Sequence, residues 1–220
     1  MIARDLITEE IPPLKPNEPA LKAVSWMDEF KVSHLPVVDG RDFLGIISES
    51  DLLDLGSASN SINESRVPLI SVFSYAHHHL FEVAKTLSDH NLSVIPVLNN
   101  KDQYIGSITI SKLMKVIAEM SVVSDTGGII ELALNVNDYS LAEIAQIVES
   151  NNAKILGSFI TSHPDSTKIQ LTFKTNRNDL GAILQTFNRY DYTVTAAYDQ
   201  GGREEDLKTR YDSFMKFLDL

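Results

Sequence analysis

The sharpest chemistry in this sequence sits in four residues, Ser48-Glu49-Ser50-Asp51, at the point where an apolar strand gives way to a helix. A carboxylate fixed in such a place can accept two charge-assisted hydrogen bonds from the adjacent hydroxyls of a ribose. The free N–H groups of the helix start, and the positive end of its dipole, suit a phosphate, and the Ser48 hydroxyl stands where it can add a donor. The same Ser-x-x-Asp spacing before an apolar run is also an ordinary capping signal, and capping holds on either reading.

A second four-residue stretch, Thr109-Ile110-Ser111-Lys112, has the same setting but carries lysine where the first carries Asp51. Lysine has three donors and no acceptor, so it cannot take over bidentate acceptance from a diol. The sequence therefore supports one competent cleft and a second, degenerate one. Lys112 is there either for a phosphate or other anion, or as a helix-surface lysine.

Tyr75-Ala76-His77-His78-His79 is the one histidine-rich stretch. Consecutive residues do not share a helical face, so a loop leading into a helix is a better reading than a metal site. The chain has no cysteine, which removes disulfides, thiolate metal sites and thiol catalysis. No nucleophile elbow, P-loop, HExxH or glycine-rich nucleotide fingerprint occurs. The expectation is a protein that is not an enzyme, with no catalytic residue and no metal ligand to nominate.

What must position Asp51 is a repeat. Ala20 to Leu53 and Leu80 to Met114 have the same order of features. Pro36 and Pro96 lie 60 residues apart, and Gly45 and Gly106 lie 61 apart, with one inserted residue in the turn around Asn99 to Gln103. Each copy begins with a helix, its apolar positions being Leu21, Val24 and Met27 (with Ala23 and Phe30) in one and Phe81, Ala84 and Leu87 in the other. A short strand ending in Pro-Val-Val or Pro-Val-Leu follows. A polar turn, a second strand around Gly45 or Gly106, and the Ser-x-x-Asp or Thr-x-x-Lys helix complete each copy.

The helix, then h-P-V-h, a turn and h-G-h-h-[ST]-x-x-[DK]-L resembles the CBS domain written twice, over roughly residues 1 to 120 (about 1–58 and 59–120). The resemblance implies one pseudo-symmetric α/β unit with two clefts. It also implies that Asp51 holds a ribose and that Ser48 approaches phosphate. An adenine would lie in an apolar slot formed by Ile11 and Pro12, with His34, Leu35 and Pro36 opposite. No cofactor is required on this reading; AMP, ADP, ATP or S-adenosylmethionine would be a regulatory ligand.

Residues 121–128, Ser-Val-Val-Ser-Asp-Thr-Gly-Gly, read as a polar linker. Beyond them the periodicity gives a strand at Ile129–Leu134, a helix from Ser140 to Asn151 and strands at Lys154–Thr161 and Lys168–Lys174. The turn between those two strands is His163-Pro164-Asp165-Ser166, and a helix at Asp179–Tyr190 and a strand at Tyr192–Tyr198 follow. Ser140 and Glu143 read as a capping box. The order βαββαβ is the split-βαβ, ferredoxin-like arrangement. Residues 129–200 after a CBS pair resemble an ACT-like domain, and the whole layout resembles the acetoin-utilisation B-type proteins. The loop Asn135 to Ser140 lacks the glycine that ACT domains favour where amino-acid effectors approach, which favours an assembly role. Residues 201–220, with Leu207, Tyr211, Phe214, Phe217 and Leu218 near one face, read as an amphipathic helix that packs on its own domain or faces a partner.

With 30 acidic and 19 basic residues the formal charge is −11, and no Lys/Arg cluster supplies the basic face that nucleic acid needs. No stretch is long and apolar enough to span a bilayer, and Met1 to Pro16 does not read as a secretory signal. The expectation is a cytoplasmic homodimer with an adenosyl small molecule and a regulated protein as partners, and with neither nucleic acid nor membrane.

Overall fold

The computed structural model describes residues 1–53, 61–65, 67–162 and 167–199. The turn at His163 to Ser166 and the C-terminal helix expected over 201–220 lie outside them. The chain divides into two compact units, Met1–Ile117 and Ala118–Leu220.

In the first unit a short helix α1 (Ala3–Leu6) precedes α2 (Ala20–Phe30), the hairpin β1 (His34–Asp39) and β2 (Asp42–Ser48), and α3 (Glu49–Leu53). The second copy follows as α4 (Ile62–Ser65), β3 (Ser74–Tyr75), α5 (Leu80–Asp89), the hairpin β4 (Val94–Leu98) and β5 (Tyr104–Thr109), and α6 (Ile110–Ala118). The pseudo-symmetry extends to irregularities: each hairpin shifts register at the same place, between Val37 and Val38 and between Val97 and Leu98.

The copies are interlaced. Thr8, ahead of the first copy, bridges Ser107 on β5 of the second, and Ile70, ahead of the second, bridges Ile46 on β2 of the first. The short helices are exchanged too. The Ala3 and Arg4 amides donate to the His78 and Ala76 carbonyls, while those of Ile62 and Asn63 donate to Glu18 and Pro16. Buried backbone groups need such partners, so neither copy is complete alone.

The two glycines of the repeat explain themselves here. Gly45 has φ +147° and Gly106 has φ +149°, and a Cβ on Gly45 would lie 2.6 Å from Leu69 Cβ, while one on Gly106 would overlap Ile7 Cγ2. Only glycine lets the exchanged segment cross the strand this closely.

The helix faces match the expected spacing at Ala23, Met27 and Leu87 and depart from it at Leu21 and Phe81. Ala20, Ala23 and Met27 are the buried positions of α2, and Leu80, Val83 and Leu87 those of α5. Leu21 and Phe81 are 59% and 66% exposed. The sequence offers two overlapping apolar stripes, and docking selects the one that starts a residue earlier. The histidine-rich stretch is structural: His79 caps α5 by accepting the Phe81 amide at Nδ1, and His78 Nδ1 accepts the Tyr75 amide. Among the described residues no three His, Cys, Asp or Glu converge as a metal site, and no helix is long and apolar enough to cross a membrane.

In the second unit, α7 (Ser121–Ser124) occupies the polar stretch before β6 (Ile129–Asn135). A 3-10 turn (Val136–Asp138), α8 (Leu141–Ser150), β7 (Ile155–Ser162), β8 (Lys168–Thr175), α9 (Gly181–Arg189) and β9 (Thr193–Tyr198) follow. The sheet order β7-β8-β6-β9, antiparallel throughout, is that of the split-βαβ arrangement. One face of the sheet and the two long helices enclose Ile130, Leu132, Ile144, Val148, Leu171, Phe173, Ile183 and Phe187. Ser140 accepts the Glu143 amide at 3.3 Å, but the Glu143 carboxylate faces Tyr192 instead of closing the box. Burial first, then the charge and hydrogen bond of Glu143, push the Tyr192 hydroxyl up to about 12.

Candidate functional site

The β2–α3 junction holds Ser48 and Asp51 in one small network. Ser48 Oγ donates to Asp51 Oδ2 at 2.6 Å and accepts the Asp51 amide at 3.2 Å, with Ser50 Oγ 3.0 Å away. The Glu49 amide is taken by the Ser33 carbonyl. The start of α3 is thus capped from both sides, and the half-buried Asp51 carboxylate is held against a hydroxyl donor. The Ser48 hydroxyl that sequence spacing aims at a phosphate is committed to Asp51.

The other expected residues gather on the same strands. His34 pairs in register with Ser48 across β1 and β2. Ile11 and Leu35 are buried in one cluster with Ile47 and Leu52, the residue after Asp51. Pro36 is buried and its carbonyl accepts the Leu14 amide at 2.8 Å, while Pro12 is half-buried.

His34 shows a contact that the sequence reading missed. Its Nδ1 accepts the Ser93 amide at 3.2 Å, and Ser93 Oγ accepts the Ser33 amide at 3.0 Å. Ser33 and Ser93 are repeat equivalents, 60 residues apart, and that spacing was the available signal. The neutral ring therefore carries its proton on Nε2. Burial holds the His34 pKa below its ordinary value of 6.5, with the Asp51 charge partly opposing. A depressed histidine stabilises the fold above its unfolded pKa and loses that contribution as pH falls. Stability should therefore decline as pH drops through about 6.5, because the unfolded chain takes up a proton that the folded one resists. Urea unfolding at stepped pH should show His34→Gln lacking this component; parallel profiles for variant and wild type would refute it.

The second junction repeats the caps without the acid. The Lys112 amide donates to Thr109 Oγ1 at 3.0 Å and the Ile110 amide to the Ser93 carbonyl at 3.1 Å. Lys112 lines an open cleft of about 500 Å³ with Ile7, Thr8, Glu9, Glu10, Ser111 and Lys115. Asp51 is not among the residues that line it.

The CBS-domain family model matches residues 3–57 and 71–119. The first half of this chain is a tandem pair of CBS domains. Inosine-5'-monophosphate dehydrogenase of Bacillus subtilis (strain 168) is 25% identical over 143 residues, 63% of this chain and 29% of the dehydrogenase. Homoserine O-acetyltransferase of Methanosphaera stadtmanae is 30% identical over 90 residues, 40% of this chain and 18% of that protein. The chain thus spans less than a third of the length of these curated relatives. Among solved structures, a CBS domain pair/ACT domain protein from Thermotoga maritima is similar at 18% identity with a TM-score of 0.48, covering 54% of this chain and 98% of that one. The protein CBSX2 in complex with AMP is similar at 20% identity and a TM-score of 0.48, covering 55% and 98%.

Proposed function

We propose that this chain is a non-catalytic regulatory protein that senses an adenine nucleotide or a related adenosyl compound through the CBS cleft at Asp51. The observation that carries the reading is the half-buried Asp51 carboxylate at the start of α3, oriented by Ser48. The ribose hydroxyls take the place of Ser48 as donors, and a phosphate meets the positive end of the α3 dipole. AMP, ADP, ATP and S-adenosylmethionine share the ribose, so Asp51 serves them alike. Ligand binding changes function only through different affinities for two arrangements of the chain.

The second reading is a structural or interaction module with an empty cleft, assembling as a homodimer or on a regulated protein in the cytoplasm. It is favoured by four exposed apolar residues at repeat-equivalent positions, Leu21 with Phe81 and Leu53 with Met114. On either reading the C-terminal βαββαβ unit is ACT-like and serves assembly, in a layout resembling the acetoin-utilisation B-type proteins.

Calorimetric titration with each of the four adenosyl compounds separates the readings. The sensor predicts saturable binding, weakened in Asp51→Ala by about 1.5–3 kcal/mol, roughly tenfold to a hundredfold in Kd. Binding that survives Asp51→Ala unchanged removes Asp51 from the site, and no binding of any of the four to folded protein gives the result to the interaction module. Sedimentation of the same samples reports the dimer.

A further inference from the structure

We propose that the Lys112 cleft is a second ligand site of reversed polarity, taking a small amphoteric molecule that carries both a phosphate or carboxylate and an ammonium group. The proposal extends the reading of the CBS clefts as ligand sites, but it rests on different residues. At Asp51 the acid is on the helix, and the segment that bridges Ile46 of the same strand, Ile70-Ser71-Val72, carries no charge. In the second cleft the helix α6 presents Lys112 and Lys115, and the exchanged segment presents Glu9 and Glu10.

These four charges face one cleft without neutralising each other. Among the described residues the ion pairs are Lys22 with Glu18, Lys31 with Asp28 and Lys85 with Asp89. None involves the cleft residues, and no side-chain hydrogen bond reaches the ammonium or carboxylate of any of the four among the described residues.

The backbone holds the two rows apart. The Thr8 amide is tied to the Ser107 carbonyl at 2.9 Å, and Thr8 Oγ1 accepts the Glu10 amide at 3.2 Å, which fixes the acidic row. The Thr109 cap at the Lys112 amide fixes the basic row. A volume of about 500 Å³ lies in the range of small-molecule sites. A ligand with one charge sign would meet attraction from one wall and repulsion from the other. An amphoteric one satisfies both, its anion on Lys112, Lys115 and the Ser111 hydroxyl and its ammonium on Glu9 and Glu10. A nucleoside monophosphate lacks the cation, and the helix lacks the acid for its ribose.

The test is calorimetry on the full chain with phosphoethanolamine as probe, and inorganic phosphate and ethanolamine as its halves. Phosphoethanolamine should bind saturably and about tenfold or more tighter than either half. The pair Lys112→Ala/Lys115→Ala should abolish that binding, Lys112→Arg/Lys115→Arg should retain it, and Glu9→Gln/Glu10→Gln should reduce the affinity to that of inorganic phosphate. Asp51→Ala should leave it unchanged. Equal affinity for phosphate and phosphoethanolamine, indifference to the Glu9→Gln/Glu10→Gln pair, or no saturable binding would overturn the proposal. Glu9, Glu10 and Lys115 are exposed and Lys112 and Asp51 partly so, and circular dichroism of each variant checks that it folds. Failure of the Asp51 reading shows separately, as absent adenosyl binding with phosphoethanolamine binding intact.

Discussion

Phe187→Ala is expected to lower the stability of the C-terminal unit by about 3–5 kcal/mol. The ring is fully buried, with its centroid 5.8 Å from that of Phe173 and 5.5 Å from that of Tyr192. It comes from α9 and Phe173 from β8, so this pair joins helix to sheet. Truncation removes the apolar burial and both ring contacts, and leaves a cavity that neighbours fixed on β8 and α9 fill only in part. The measurement is amide hydrogen exchange of the slowest residues in β6 and β8, whose opening free energy should fall by that amount. A fall below about 1 kcal/mol would mean that the helix settles into the space.

The parts of this fold legible in the sequence are those with short-range pattern or exact repetition. Pro36 with Pro96 and Gly45 with Gly106 located both hairpins, because the second copy restates the first. Strand alternation located β6 to β9, which ended within a residue or two of the spans expected from the sequence. Helix phase was less legible: Leu21 and Phe81 neighbour Ala20 and Leu80, and local hydrophobicity does not say which stripe the sheet will cover. The helix ends expected at Asn151 and Tyr190 fall one residue past Ser150 and Arg189, where α8 and α9 stop, although no glycine marks either. Lys31, Asn91, Asn152 and Asp191 all stop helices with φ near +55°, and none is the glycine that ordinarily marks such a stop.

The candidate site divides in the same way. Ser48 and Asp51 are three residues apart on one junction, so their spacing already placed them together. Glu9 and Glu10 face Lys112 and Lys115 only because Thr8 crosses to the other repeat, a pairing about a hundred residues long in sequence. No period announces such a contact. It is paid for by loop closure and held by hydrogen bonds to backbone, which any residue type can make.

The exchanged crossings also set the largest effect expected in the CBS pair: alanine at Gly45 or at Gly106 should cost about 2–5 kcal/mol, from positive-φ strain together with overpacking. At Gly45 the Cβ meets Leu69 Cβ and the Ile70 carbonyl, so backbone has to move; at Gly106 it meets the Ile7 side chain, which can partly yield. Gly45→Ala should therefore be the more costly of the two, as read by urea unfolding. The segments that move are different walls. Leu69 and Ile70 cross the strand that leads to Ser48, while Ile7 and Thr8 are part of the Lys112 cleft. In whatever fraction stays folded, Gly45→Ala should weaken adenosyl binding and spare phosphoethanolamine, and Gly106→Ala should do the reverse. Equal damage to both ligands from either substitution would mean that the clefts are one mechanical unit, since a wall displaced on one side would then be felt on the other.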